Sequence, residues 1–481
     1  MYIGLDIGTS AAKAVLVGEN QDILADCSAP LDVQRPHPLW SEQDPAEWWR
    51  AVNDCMDGLR AERPREYAAV RAIGLSGQMH GATLLDDNRQ VLRPAILWND
   101  GRSGNQCRVL TEREPATAEI TGNVAMPGFT APKLLWVAEH EPDVFANTAL
   151  VLLPKDFVRL CMTGEAVSEM SDAAGTLWLD VAGRDWSDAM LAATGLGRGQ
   201  MPRLVEGSEA SGTLSAEVAS SWGLSDGVVV AGGAGDNAAG AAGIGAVVPG
   251  RAFLSLGTSG VFFLTTERFA PNPHRGVHAF CHCIPGTWHQ MSVILSAASC
   301  LSWVTHVTGA DDEGSLLDEI EASPAGDLVF LPYLSGERTP HNDPYAKGVF
   351  FGLTHDTGRA QLGRAVLEGV AFAFADGQDA LLAAGASVDT VSVIGGGARS
   401  RYWGRILASV LGQPLTYHPG GETGPAFGAA RLARLAVSGE APADVCTPPT
   451  GRRGDRAGRR DPRRNPAQAR QLCSALQPIE R

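Results

Sequence analysis

The sequence predicts an α/β protein built from two similar domains in tandem. Apolar strand patterns alternate with helical ones along most of the chain, which is the pattern of α/β layers. A strand–turn–strand unit occurs twice, first at residues 2–17 and again as FLSLGTSGVFFL at 253–264, each with Gly-Thr-Ser at its turn. A unit repeated at half-chain distance points to duplication. At 481 residues the chain is too long for one ordinary domain, and with 44% hydrophobic residues it can offset its chain entropy by burial. The expected division is an N-terminal domain over 1–245, a C-terminal domain over 246–440 and a tail over 441–481.

Residues 2–7 alternate, turn at Gly-Thr-Ser and resume apolar over 12–17, a β-hairpin signal. DPAEWWRAVNDCMDGLR (44–60) opens on an acidic cap candidate and a first-turn Pro, then places apolar residues at helical spacing. VRAIGLSG (70–77) reads as a strand entering a turn. VVVAGGAGDNAAGAAGIG (228–245) reads as a strand, a Gly-rich turn and a small-residue helix. Residues 358–385 form a long amphipathic helix pattern. TVSVIGGGARSRYWGRILASVLG (390–412) reads as strand, triple-Gly turn and helix. Between Gly451 and Arg470 there are eight Arg and little that is apolar, the composition of a solvated, partly disordered tail.

Charge and ends exclude several classes. Asp+Glu outnumber Lys+Arg, 54 to 39, and the net charge of −15 makes a nucleic-acid partner unexpected. The opening MYIGLDIGTS lacks the basic and apolar regions of a signal peptide. The most apolar stretch, near 238–250, is broken by Gly and ends at Pro249, short of the ~20 residues a membrane span needs. Nine scattered cysteines suit reduced thiols in a cytoplasm, which is the expected location. His278, Cys281, His282 and Cys283 are metal-ligand types, but strand alternation sends neighbours to opposite faces, so sheet residues near a core are expected there.

Several segments could carry chemistry. In DIGTSAAK, Asp6 ends a strand, Gly8, Thr9 and Ser10 form a tight loop, and Lys13 lies on the return strand. Such a loop can hold phosphate oxygens, and a nearby carboxylate can hold Mg²⁺ through water; a plain hairpin turn explains the same residues. LGTSG at 256–260, with Gly257 and Thr258, is a second such loop, and two of them could clamp a nucleotide. GGAGDN (232–237) places Asp236 at a helix start, where the dipole favours its charged form. Such an Asp can take a proton from an alcohol or merely cap the helix. GGGARS (395–400) would let a ring or phosphate approach the backbone at Gly396, Gly397 and Ala398, or serve as a βα turn. In SGQMHG (76–81), Gln78 and His80 can bond hydroxyls and Met79 can pack on carbon, although a satisfied core histidine is the alternative. Asn99, Asp100 and Arg102 of LWNDGR add polar groups suited to a polyol or sugar.

In order, DIGTSAAK, SGQMHG, LWNDGR, GGAGDN, SLGTSG, HAFCHCIPGTWH, PYLSGERTPHNDP and IGGGARS resemble the FGGY carbohydrate kinase family over about residues 1–440. SGQMHG with LWNDGR resembles its D-xylulose branch rather than its glycerol branch. The resemblance implies two ribonuclease H-like domains of the actin/hexokinase type with a cleft between them. It implies transfer of phosphate from ATP, with Mg²⁺, to D-xylulose, giving D-xylulose 5-phosphate. Asp236 then corresponds to the base, and Met79, His80 and Asn237 to sugar contacts. Asp6 corresponds to the carboxylate near metal and γ-phosphate. Thr9, Ser10 and Lys13 match the first phosphate hairpin, Gly257 and Thr258 the second, and Gly396, Gly397 and Ala398 the adenosine side. GERTPHNDP (336–344) receives no role. A homodimer is compatible with the resemblance. The alternatives are a family kinase for L-ribulose, gluconate or L-fuculose, and an ATP-driven chaperone or regulator of the same fold. The Arg-rich end departs from the family, whose pattern has a C-terminal helix with aromatic residues there.

Overall fold

The computed structural model describes residues 1–324, 326–418 and 424–449. Its first half contains β1 (Tyr2–Ile7), β2 (Ala11–Val17), β3 (Ile23–Pro30), α1 (Pro45–Glu62), β4 (Ala72–Gly77), α2 (Pro154–Thr163), β5 (Ala210–Thr213), β6 (Val229–Ala231), β7 (Ala234–Gly235) and α3 (Asp236–Ile244). These strands form one sheet in the order β5-β6-β4-β1-β2-β3, with β7 also paired to β4. The β1–β2–β3 run is an antiparallel meander, whereas β1, β4, β6 and β7 run parallel. The hairpin over 2–17 is therefore as the alternation predicts.

Helix α1 follows its sequence signals closely. The Asp44 side chain accepts from the Ala46 N–H, Pro45 occupies the first turn, and Trp48, Val52, Cys55, Met56 and Leu59 face the core. The helix stops at Arg63, which precedes Pro64, a position that disfavours helical backbone.

The second half contains β8 (Arg251–Leu256), β9 (Gly260–Thr266), β10 (His278–Cys281), β11 (Trp288–Ile294), α4 (Ala298–Thr308), α5 (Arg359–Leu382), β12 (Thr390–Ile394), α6 (Arg401–Leu411), β13 (Leu415–Tyr417) and α7 (Gly424–Ser438). Its sheet runs β10-β11-β9-β8-β12-β13, again an antiparallel hairpin continued by parallel strands. The long α5 buries Val366, Val370, Phe374 and Leu381 in the core beneath this sheet.

Helix α7 comes from the second half but packs on the first sheet, with Ala426, Ala430 and Ala433 against Tyr2, Val15 and Ala72. Its backbone comes so near that a Cβ on Gly4 would lie 1.8 Å from the Ala426 carbonyl, and one on Gly74 1.9 Å from that of Ala429. No side chain fits at either strand position, so glycine is required there by contact.

The histidine–cysteine cluster is buried packing near a core, as expected, but strand β10 stops at Cys281, so His282 and Cys283 lie beyond it: His278 Nδ1 lies 2.9 Å from Asn123 Oδ1, and His282 Nε2 3.2 Å from the Ala246 carbonyl. Among the described residues no group of three or more His, Cys, Asp or Glu is placed to hold a metal. The expected tail does not begin loose at 441, because Val445 and Cys446 are buried with Ile284, Leu432 and Leu435; residues 450–481, with the Arg run, lie outside the described residues. No described helix is long and apolar enough to cross a membrane.

Candidate active site

The parallel strands β1, β4 and β7 end side by side. Asp6 is in register with Ser76, and Ser76 with Ala234, so Asp6 and Asp236 emerge at neighbouring carboxyl ends of the sheet, where α/β proteins commonly bind ligands. The turn before Asp236 is glycine for steric reasons. Gly233 has φ +78°, and a Cβ there would lie 2.1 Å from the Leu75 carbonyl, while one on Gly232 would lie 2.2 Å from that of Glu206.

Gly235 is the cap of α3, so Asp236 is its first helical residue rather than its cap. Asp236 Oδ1 instead accepts from the Asn237 backbone N–H at 2.7 Å and its Nδ2 at 2.9 Å. The helix dipole does not win. Burial, and then the Asp6 charge, push the Asp236 carboxyl up to about 6 against the pull of Asn237. The group is therefore harder to ionise than an ordinary Asp, although the helix start by itself favours its charged form. Burial also raises Asp6, while the Ser76 hydroxyl, 3.0 Å from its Oδ1, and Lys13 across the hairpin lower it.

Met79 packs against the turn that carries Asp236, and His80 follows it in the chain. A Cβ on Gly235 would meet Met79 Cγ at 3.0 Å, and one on Gly175 would meet His80 Nδ1 at 2.7 Å. His80 adopts φ +70°, a conformation uncommon outside glycine. Thr130 Oγ1 (3.1 Å) and Lys133 Nζ (2.8 Å) pin its carbonyl, and Lys133 also reaches the Gly128 carbonyl at 2.8 Å. Burial, then Lys133, push the imidazole down to about 3, so it is neutral. Its Nδ1 lies 2.6 Å from the Gly175 carbonyl, which fixes the Nδ1–H tautomer and leaves Nε2 as an acceptor. Phe129 meets its ring edge-on at 4.8 Å, and Phe280, from the second half, lies 6.4 Å away. Arg338 of GERTPHNDP approaches as well, with Nη1 3.5 Å from His278 Nε2.

Other polar residues of these motifs serve elsewhere. Gln78 donates to the Gly8 carbonyl (3.3 Å) and to Gln43 Oε1 (2.8 Å) and accepts from Thr9 Oγ1 (3.1 Å), so it braces the first hairpin rather than facing a hydroxylated ligand. Asp100 and Arg102 pair with each other at 2.7 Å, Asp100 also accepts from the Ser41 N–H at 2.6 Å, and Arg102 stacks over Trp40. Asn99 is exposed. Sequence reasoning missed Gln43, whose Nε2 donates to the Thr9 carbonyl at 2.7 Å, and Trp98, whose Nε1 donates to Thr9 Oγ1 at 2.9 Å. Trp98 sits inside LWNDGR, so the motif marked the right loop; nothing near Gln43 marked it.

The Thr9 hydroxyl is thus engaged by Gln78 and Trp98, and the Gly8 N–H donates to the Ala11 carbonyl at 3.0 Å, so what the first hairpin presents is the exposed Ser10. Lys13 is exposed on β2, opposite Asp6. In the second hairpin the start of α4 takes up the carbonyls: Ala298 N–H donates to Gly257 (2.7 Å), and Ala297 N–H and Ser299 Oγ to Thr258 (2.9 and 2.8 Å). That orients the loop and leaves the exposed Thr258 side chain on its outer side. Beside it, Gly395 (φ +89°) and Gly397 press on Leu256, whereas a Cβ on Gly396 would meet nothing within 4 Å. Gly396, Gly397 and Ala398 form a 3-10 turn at the end of β12, the strand paired with β8.

The donor set fits Mg²⁺. It consists of oxygens alone, and one or two carboxylates with no closed protein cage suit an ion that keeps its waters and binds phosphate.

Comparison with known proteins places this arrangement. Residues 1–243 match the model for the N-terminal domain of the FGGY family of carbohydrate kinases, and residues 252–437 match that for its C-terminal domain. The chain is 56% identical to the xylulose kinase of Escherichia coli (strain K12) over 442 residues, 92% of this chain and 91% of that one. It superposes on the crystal structure of a xyloylose kinase from Brucella ovis with a TM-score of 0.94 at 52% identity, covering 99% and 98% of the two chains. The xylulose kinase structure from Rhodospirillum rubrum gives 0.91 at 30% identity, with the same coverage.

Proposed function

The chain belongs to the FGGY family of carbohydrate kinases, and on that premise we propose that this sugar kinase phosphorylates D-xylulose with ATP, giving D-xylulose 5-phosphate and ADP. The observation that carries this reading is the apposition of Asp6 and Asp236 at neighbouring strand ends, with Met79 packed against the Gly235 that precedes Asp236. The 56% identity to a xylulose kinase supports the choice of sugar.

Phosphoryl transfer asks a protein mainly to position groups and neutralise charge. His80 Nε2 accepts a sugar hydroxyl, Met79 packs on the carbon chain, and Asn237 helps hold the end that reacts. Asp236 takes the proton of the terminal hydroxyl as that oxygen bonds to the γ-phosphorus and the bond to ADP breaks. With a carboxyl near 6, Asp236 is mostly ionised at neutral pH yet basic enough to accept a proton. Asp6 is the residue that would hold Mg²⁺, which when bound spreads the negative charge of the phosphates. Ser10 and Lys13 of the first hairpin, and Gly257 and Thr258 of the second, face the phosphates; Gly396, Gly397 and Ala398 take the adenosine side.

A panel of sugars in a coupled ADP-release assay tests this. The expected result is the highest kcat/KM with D-xylulose. A higher value with L-ribulose, gluconate or L-fuculose overturns the choice of sugar, and no sugar-dependent ADP release overturns the whole reading.

A further inference from the structure

Beneath the turn that carries Asp236 lies a group of charged side chains that the chemistry above does not use. Lys155, Asp156, Arg159, Glu169 and Asp172 are all fully buried. Lys155 Nζ lies 2.6 Å from Asp156 Oδ1, 3.1 Å from Asp172 Oδ2 and 3.7 Å from Glu169 Oε1. Burying this many ions is costly, and an apolar core of the same shape is often as stable. Stability therefore does not explain the cage; what it holds does.

Arg159 donates to the Ala231 carbonyl at 2.6 Å, to that of Gly232 at 2.5 Å, and to Ser211 Oγ. Ser171 Oγ accepts the Gly235 N–H at 3.1 Å and donates to Glu169 Oε1 at 2.9 Å. Glu169 is fixed in turn by the N–H groups of Ser171 and Asp172, each at 2.8 Å. Both ends of the Ala231–Gly235 turn are thereby tied to one rigid, charged body, and Asp236 is the next residue.

We propose that Ser171, held by this cage, is a positioning residue that sets the place of the Asp236 carboxylate. Without its hydroxyl the Gly235 N–H loses its partner, and the first turn of α3 is free to tilt. A displacement of about 1 Å in a reacting group can cost ~100-fold in rate. The proposal rests on the reading of Asp236 as the base.

The test is a double-mutant cycle on the full chain with D-xylulose and ATP, using Ser171→Ala, Ser171→Thr, Asp236→Asn and the Ser171→Ala/Asp236→Asn pair. Thermal unfolding checks that each is folded. Ser171→Ala is expected to lower kcat ~10- to 100-fold with the KM for ATP within about twofold, Ser171→Thr to recover most of the loss, and Ser171→Ala to add no further loss on Asp236→Asn. Wild-type kcat in Ser171→Ala overturns the proposal. So does the same fold-loss in both backgrounds, because the serine would then act on the fold and not through the base. Near-normal kcat in Asp236→Asn would instead remove the reading on which the proposal rests.

Discussion

At the scale of single residues the site depends on protonation states that burial sets. Asp236 is the clearest case, since its carboxyl is raised to about 6 by burial and by Asp6. A base must be ionised to work, so kcat/KM is expected to be level above pH 7 and to fall about tenfold per pH unit below about 6; a pH–rate profile level down to pH 4 would contradict it. Replacing Asp236 with Ala is expected to lower kcat by at least ~10²-fold while nucleotide binding, followed by calorimetry, stays close to wild type. Gln78 separates two readings of one motif. It bonds Gly8, Thr9 and Gln43, so Gln78→Met is expected to raise the KM for ATP several-fold and leave that for the sugar nearly unchanged. The reverse pattern in steady-state kinetics would make it a sugar contact.

Elements place these residues, and here close backbone contact matters more than side-chain chemistry. Helices α3 and α7 touch where a Cβ on Gly428 would lie 1.8 Å from the Ala239 carbonyl. Gly428→Ala must push α7 away from α3, and overpacking of this kind costs typically 1–3 kcal/mol. A drop in Tm by calorimetry, with a parallel loss of kcat because α3 begins at Asp236, is the expected outcome; unchanged Tm would mean the helices yield freely. The sequence announced most of these elements, because α1 carries its cap, its first-turn Pro and its apolar stripe within one short window. It did not announce that α7, near the end of the chain, lies on β1 and β4. An alanine-rich stripe states that a helix packs closely and does not state on what.

Over the whole molecule the surroundings of His80, the proposed sugar contact, draw on both halves. Asn123 joins His278, and Phe129 packs near Phe280, so residues of the second half close over His80. Binding of sugar is therefore expected to favour a closed form that excludes water from the phosphates. Sugar and nucleotide together should reduce the radius of gyration in small-angle scattering, and ATP hydrolysis without sugar should be much slower than transfer to it. No compaction with both ligands bound would count against closure.

The sequence by itself determined the alternation of strand and helix, the twin hairpins and the glycines around Asp236, because each is a local pattern whose physics lies within one short segment. With the ordered motifs it also marked Asp6, Met79, His80 and Asp236. Tertiary structure alone decided which polar residues are spent on support. Gln78 and Asp100 look as able as His80 to hold a hydroxyl until Gln43, Thr9 and Arg102 are seen to occupy them. Only folding buries Asp236 and brings Asp6 next to it, and burial, with that proximity, moves the Asp236 carboxyl from an ordinary value to about 6. Desolvation and charge coupling depend on distance through space, and the order of residues does not contain that distance.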